Sequence, residues 1–252
     1  MQLALIVPGR LASTRFPQKL LHPILGIPLI VHTARRIQNQ VPDLPLFFAV
    51  DHPDLSQILR EHGFDSILTR SDHSSGTDRL AEANANIGAE RVVNVQADEP
   101  MVTAGQIRQL CALIQSPGTD LATLAHRFHS PEDFLNPNQV KVVISSEGTA
   151  LYFSRSPIPY PRDTSGTVTK EWLQTQPCYR HLGLYAYTRE FLENFTRLKP
   201  SPCESIEKLE QLRALENGFR IAVGITDHPS IGVDTPEDAQ LLERLLRDQP
   251  SG

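Results

Sequence analysis

Four short stretches of the chain gather side chains that could do chemistry, and each stands near an apolar run. The first, PGRLASTRFPQK from Pro8 to Lys19, carries Arg10, Arg15 and Lys19 as cationic donors and Ser13, Thr14 and the loop amides as neutral ones. That set can hold a polyphosphate, although a solvated loop can have the same composition. The second, SDHSSGTDRLAE, opens a helical pattern with Ser75, Gly76 and Thr77, where amides and the helix dipole favour an anion or where small residues simply cap. Asp72, His73 and Asp78 in it read as capping and surface charge rather than as a metal site. In the third, VVNVQADEPMV, an apolar strand ends at Gln96 and presents Asp98 and Glu99 before Pro100. A carboxylate at the end of a central strand suits a hard cation such as Mg²⁺. The fourth, IGVDTPED, places Asp234 at a strand exit, where it matters for a metal only if folding brings it to Asp98. Arg162 in YPRD, His181 and Tyr185 in RHLGLYAY, and Glu210 and Gln211 in ESIEKLEQLRALENG suit a polyhydroxylated acid, because arginine matches a carboxylate and the others pair with hydroxyls, although taken singly each reads more simply as a surface or capping residue.

The elements that must position these residues alternate through the first half. QLALIV, LFFAV, DSILT, RVVNVQ and DLATLA read as strands, separated by helices over Pro28 to Asn39, Pro53 to His62, Thr77 to Ile87 and Thr103 to Gln115. Repeated βαβ units predict an α/β fold with a mostly parallel, Rossmann-like sheet flanked by helices. Pro28 and Pro53 fit a first helical turn, Thr103 an N-cap and Gly63 a C-terminal stop. From about Asn138 the rhythm changes to an antiparallel hairpin, QVKVVIS and TALYFSR around SEG, followed by a polar, proline-rich stretch to Pro177. YRHLGLYAY is a further strand, with helices expected at about Glu190 to Thr196 and Ser205 to Asn217. RIAVGI and an amphipathic helix capped by Thr235 close the chain, so the architecture is one α/β domain with an inserted β-rich subdomain.

A net charge of −5 supplies no general attraction to nucleic acid or to an anionic membrane, so any phosphate-binding charge must be gathered locally. No run approaches the roughly 18 apolar residues of a membrane span, and the N-terminus lacks the pattern of a signal peptide. These features point to a soluble, cytoplasmic protein with small-molecule partners. Cys111, Cys178 and Cys203 are odd in number and form no CxxC pair, which argues against a disulfide framework or a zinc ribbon. The opening loop matches neither the P-loop nor the GxGxxG fingerprint, and a nicotinamide dehydrogenase is a distant reading.

Together the segments ASTRFPQK, DHSSGTDRLAE, NVQADEPM, LNPNQVKVV, ALYFSRSPIP, RHLGLYAY, IEKLEQLRALENG and GVDTPEDAQ resemble, in this order, the 3-deoxy-manno-octulosonate (Kdo) cytidylyltransferases, or CMP-Kdo synthetases. The resemblance implies a nucleotide-diphospho-sugar transferase type of fold over 1–252, with a sugar-binding and dimerisation insert at about 126–190. It implies an enzyme that joins CTP to Kdo with Mg²⁺, releasing pyrophosphate, and a homodimer. Carried onto matching positions, Arg10, Ala12, Ser13, Thr14, Arg15 and Lys19, with Ser75, Gly76, Thr77 and Arg79, would bind the nucleotide. Asp98 and Asp234 would hold the metal, with Arg15, Lys19 and Asp98 catalytic, and Gln96, Arg162, His181, Tyr185, Glu210 and Gln211 would contact the sugar. The chain departs from the family's commoner spelling at Gly9 (alanine), Gln18 (glycine), Ala97 (glycine) and Ser205 (histidine). A glycine at 97 would point to φ > 0, a conformation costly for Ala97, and Ser205 leaves a related acid open. Rival readings are a cytidylyltransferase for modified Kdo or sialic acid, and a nucleotide-binding regulator without catalysis.

Overall fold

In the computed structural model, which describes residues 1–73 and 75–248, the chain divides into two compact units: Met1–Ile107 with Ser230–Gly252, and Arg108–Pro229. Along the first run β1 (Leu3–Gly9), β2 (Pro23–Ile24), β3 (Ile27–Pro28), α1 (Leu29–Gln40), β4 (Leu46–Val50), α2 (Pro53–Glu61), β5 (Ser66–Leu68), α3 (Gly76–Ile87), β6 (Arg91–Asn94) and α4 (Ala104–Gln115), within which the division falls. Strands β6, β1, β4 and β5 lie side by side in that order, all parallel, with Leu5 opposite Leu46 and Leu3 opposite Arg91. Strand β1 is buried from Ala4 onward, as expected of a strand covered on both faces.

Local chemistry fixes the helix ends. Ser75 and the side chain of His52 cap α3 and α2, and Gly63 (φ 81°) and Gly88 (φ 73°) follow those two helices in the left-handed conformation that suits glycine. Thr103 and Gln106 cap the start of α4 reciprocally, and Thr235 with Asp238 forms a capping box on the C-terminal helix, Pro236–Arg247. Residues Ile231 to Asp234 form no strand; Asp234 leaves an irregular segment, not the predicted strand exit.

The second unit contains β7 (Leu121–Arg127), α5 (Pro131–Leu135), β8 (Lys141–Ile144), β9 (Ala150–Ser154), α6 (Lys170–Thr175), β10 (Tyr179–Thr188), α7 (Arg189–Phe195), α8 (Pro202–Glu207), α9 (Gln211–Glu216) and β11 (Ile221–Ile225). Its strands run in the order β11, β7, β10, β8, β9, with only the β11–β7 pair parallel. The stretch read as polar up to Pro177 contains α6, whose Leu173 packs with Phe128, Phe134 and Cys178 in a small satellite core.

The single helix expected over Ser205 to Asn217 is two, broken at Lys208, which takes φ 54°. Arg213 supplies the reason: its guanidinium forks onto both oxygens of Glu204 at 2.8 and 2.5 Å and lies 4.7 Å over the Phe195 ring. In an unbroken helix residues 204 and 213 would stand about 13 Å apart along the axis and on opposite faces. The ion pair therefore requires the bend. No helix among the described residues is long and apolar enough to cross a membrane.

Candidate active site

The first unit holds a cavity of about 440 Å³ at the carboxyl end of β1. The opening loop is anchored below it by buried Phe16, whose ring meets His22 at 4.8 Å, and by buried Leu20. Gln18 takes φ 54°, a left-handed turn that lets Lys19 begin a 3-10 turn directly after it. This is the conformation for which glycine would be the easier residue.

Lys19 organises the site. Its Nζ donates to Asp98 Oδ2, to Asp234 Oδ1 at 2.8 Å and to the Val233 carbonyl at 3.1 Å, reaching partners 79 and 215 positions along the chain. Arg15 completes the pair from the other side, 3.0 Å from Asp234 Oδ2. Burial would lower the pKa of Lys19, but the two carboxylates outweigh it and hold it above the ordinary 10.5. Burial likewise acts to raise Asp234, and Lys19 and Arg15 bring it below 3.8. The backbone that carries Asp98 is held as well: Val233 N–H donates to the Asp98 carbonyl at 2.9 Å, and the Thr33 hydroxyl donates to the Ala97 carbonyl at 2.8 Å. Ser230 donates to Glu99, against which a side chain at Gly232 would stand 3.1 Å away. Ala97 is buried and is not among the described residues with positive φ, so the strain expected from a glycine position does not arise.

The cavity wall brings together Arg10, Ala12, Ser13, Thr14, Arg15, Lys19, Ser75, Gly76, Arg79, Gln96, Asp98 and Asp234. Thr77 is not on that wall; it is buried in the first turn of α3. Arg79 is almost wholly buried, and desolvation lowers its pKa while Asp51 opposes that shift. Its Nη1 donates to Thr69 Oγ1 at 2.5 Å and to the Arg70 carbonyl at 3.2 Å, and its Nη2 to Asp51 Oδ2 at 3.3 Å.

Two side chains at or beside the cavity are not assigned to it by the sequence: Asp51, and His73, which reads there as capping or surface charge but whose side chain is only 10% exposed. Asp51 accepts the Leu11 amide at 2.9 Å on its other oxygen, tying the opening loop to Arg79. It follows β4 as Asp98 follows β6, and the same search for acids after strands would have found it. His73 lines the cavity and bonds Glu82, whose carboxyl burial would raise but whose His73 and Arg70 contacts lower. Asp72 pairs with Arg70 at 3.1 Å and Asp78 N–H bonds the capping Ser75, in keeping with the reading as surface charge and capping.

In the second unit, His181 and Tyr185 lie on β10 with ring centroids 5.3 Å apart. On a regular strand, residues four apart would be separated by about 13 Å. The register shift between Leu182 and Tyr185 closes that distance, and the Thr123 hydroxyl fills the bulge, donating to the Leu184 carbonyl at 2.7 Å. With its one proton so used, Thr123 Oγ1 accepts from His181 Nε2 at 3.0 Å, which leaves His181 Nδ1 as an acceptor. Burial pushes the His181 pKa down to about 3, with Arg180 adding to it, and holds the Tyr185 phenol well above 10.0. Both rings are therefore neutral at physiological pH.

Glu210 acts on the same tyrosine electrostatically, and Arg213 stands 3.8 Å from the Glu210 carboxylate. Gln211 is 7% exposed, and its Nε2 finds no hydrogen-bond partner among the described residues, an arrangement that leaves a donor for a ligand. Arg162 is exposed on a 3-10 turn, and its guanidinium makes no hydrogen bond or ion pair among the described residues. Ser205 is exposed on α8, and a Cβ at Gly9 would meet Leu20 at 3.2 Å.

A family model described as cytidylyltransferase matches residues 4–221. The chain is 46% identical over 249 residues to the 3-deoxy-manno-octulosonate cytidylyltransferase of Geobacter sulfurreducens, spanning 97% of this chain and 100% of the relative. It is 45% identical over 253 residues to that of Geobacter metallireducens, spanning 99% and 100%. Among solved structures it resembles a CMP:2-keto-3-deoxy-manno-octonic acid synthetase complexed with CTP, with 36% identity, a TM-score of 0.89 and coverage of 98% and 99%.

Proposed function

Because the chain belongs to the cytidylyltransferase family, among the 3-deoxy-manno-octulosonate cytidylyltransferases, we propose that it activates Kdo with CTP, giving CMP-Kdo and pyrophosphate for Kdo-containing glycans such as lipopolysaccharide. The observation that carries this reading is the convergence of Lys19 and Arg15 on Asp98 and Asp234 in a cavity rich in cations. The reaction joins two anions, so its first requirement is to hold them together against their repulsion.

Arg10, Arg15 and Lys19, with the loop hydroxyls of Ser13 and Thr14, bind the triphosphate, and the start of α3 at Ser75 and Gly76 takes the nucleotide. As the anomeric hydroxyl attacks the α-phosphorus in line, charge builds on the departing pyrophosphate. Arg15 and Lys19 stabilise it there, because fixed donors act most strongly where charge develops. Asp51 and Arg79 position the loop rather than donate to the reacting atoms. His181 Nδ1 accepts a sugar hydroxyl, Tyr185 donates one bond, and Glu210 and Gln211 order the remaining hydroxyls. Gln96 and Arg162 complete the acid's set, Arg162 by pairing with its carboxylate.

The residues fit a divalent cation. Asp98 Oδ2, Asp234 Oδ1 and the Val233 carbonyl are hard oxygen donors, and a positive centre, the Lys19 ammonium, already stands among them. Asp98 and Asp234 would hold Mg²⁺, which when bound supplies positive charge beside the reacting phosphate. The enzyme on this reading is a cytoplasmic homodimer.

The test is a panel of CTP and Mg²⁺ with Kdo or sialic acid, recording pyrophosphate and product mass. CMP-Kdo with Kdo alone is the expected result, and turnover of sialic acid but not Kdo would replace the assignment.

A further inference from the structure

Lys141 has no exposed surface, and the chemistry above makes no use of its ammonium. It lies on β8 opposite Arg180, next to the position where the His181 amide bonds the Val140 carbonyl at 2.8 Å. Its Nζ donates to the carbonyls of Asn136 and Gln139, both at 2.8 Å, and of Arg155 at 2.7 Å. Three donors meet three acceptors, so the buried charge is fully hydrogen-bonded.

Arg155 carries the connection onward from the end of β9. Its amide donates to Glu207 Oε2 at 2.9 Å and its Nε to the Glu207 carbonyl at 2.6 Å. Its Nη1 reaches the Pro137 carbonyl at 3.1 Å and its Nη2 the Lys208 carbonyl at 3.4 Å. Ser154 donates to Glu207 Oε1 at 2.6 Å. Glu207 ends α8, Lys208 is the break, and Glu210 and Gln211 open α9 one residue later. On the other side, Phe153 of the same hairpin packs on His181 with centroids 4.9 Å apart. An ammonium as deeply placed as that of Lys141 is costly to desolvate, and apolar packing would serve stability as well. The geometry of these charges, joining the strand of His181 to the corner of Glu210, points to another use.

We infer that buried Lys141, with part-exposed Arg155 and Glu207, forms a hydrogen-bonded clamp that sets the span between the His181–Tyr185 face and the Glu210–Gln211 corner, and so fixes affinity for the sugar acid. The inference rests on the reading of those four residues as the acid's subsite. The clamp residues touch no substrate; they are positioning residues. A clamp with only a structural role would change melting temperature and leave the two substrates' constants alone.

The experiment measures KM for Kdo and for CTP, with CTP affinity by calorimetry, in the full-length wild type, Lys141→Met, Glu207→Gln and Glu207→Ala. Glu207→Gln keeps an oxygen for Ser154 and nearly the same volume, so it preserves the test if Lys141→Met fails to fold. The expected result is a KM for Kdo raised about tenfold with CTP constants held within about twofold, and a larger rise in Glu207→Ala than in Glu207→Gln. Parallel rises for both substrates, or a lower melting temperature with neither KM moved, would overturn the clamp. A wild type that binds CTP but releases no pyrophosphate with Kdo would overturn the assigned acid, and with it the clamp's stated role.

Discussion

In the first unit Lys19, Arg15, Asp98 and Asp234 meet as full charges, two of them on half-open side chains, whereas in the second His181 and Tyr185 are kept uncharged by burial. The first arrangement is balanced and exchangeable: each cation now on a carboxylate can turn to a phosphate, and each carboxylate can turn to another cation. The second is fixed, because the Thr123 hydroxyl has one proton and the bulge determines where it goes. A triphosphate is recognised by total charge, which mobile ions serve well. A sugar is recognised by the direction of its hydroxyls, for which a locked tautomer is the better instrument.

The largest effect that would sharpen this contrast is expected at Asp98. Asp98→Asn should lower turnover on the order of 10²- to 10³-fold with the fold intact by circular dichroism; near-normal pyrophosphate release would remove Asp98 from its role. Next comes Lys19→Met, which should weaken kcat/KM for CTP by about 10- to 100-fold while leaving KM for Kdo nearly unchanged. An equal rise in KM for both substrates would break the division of labour. The ion cluster itself should be insensitive to pH across the neutral range. Asp234 is depressed below 3.8, so its stabilisation is lost only as pH falls through that lower value, and Lys19 is raised above 10.5, so its share is lost only as pH rises beyond it.

A smaller effect is expected on the other side of the comparison. His181→Ala should raise KM for Kdo about tenfold, and His181→Asn, whose oxygen can take the place of Nδ1, should raise it less. Since His181 titrates at about 3, KM for Kdo should show no His181-dependent inflection between about pH 5 and 8. An inflection present in the wild type and absent in His181→Asn would show that the ring does change charge. The smallest effect is at Gln18, where glycine would relieve a left-handed backbone; Gln18→Gly should stabilise the protein by up to about 1 kcal/mol in urea unfolding, with activity little changed.

Much of the scaffold was legible because its signals are local. The burial of β1, the caps at Ser75 and Thr235 and the turn at Gly63 follow from adjacent residues. Asp98, soon after β6, was legible by its place behind a strand, a rule that Asp51 obeys although it was overlooked and that Asp234, leaving an irregular segment, does not. What could not be read depends on partners distant in sequence. The approach of His181 to Tyr185 needs Thr123 from another strand, and the break at Lys208 needs Arg213 to find Glu204 and Phe195. The helical pattern of ESIEKLEQLRALENG is real on both sides of the break, so periodicity gave no sign of it. Lys141 was passed over because a lysine in VKVV looks like an ordinary strand residue until its three carbonyl partners are seen.

The irregular segment from Ser230 to Asp234 has a consequence for how the protein is made. It belongs with residues 1–107, and its Val233 amide bonds the Asp98 carbonyl, so the pair of carboxylates is assembled from opposite ends of the chain. A ribosome must deliver the whole of 108–229 before the second acid emerges. Until then the growing chain displays the cationic loop and Asp98 without Asp234, and a product cut short anywhere before Ser230 would lack the second carboxylate.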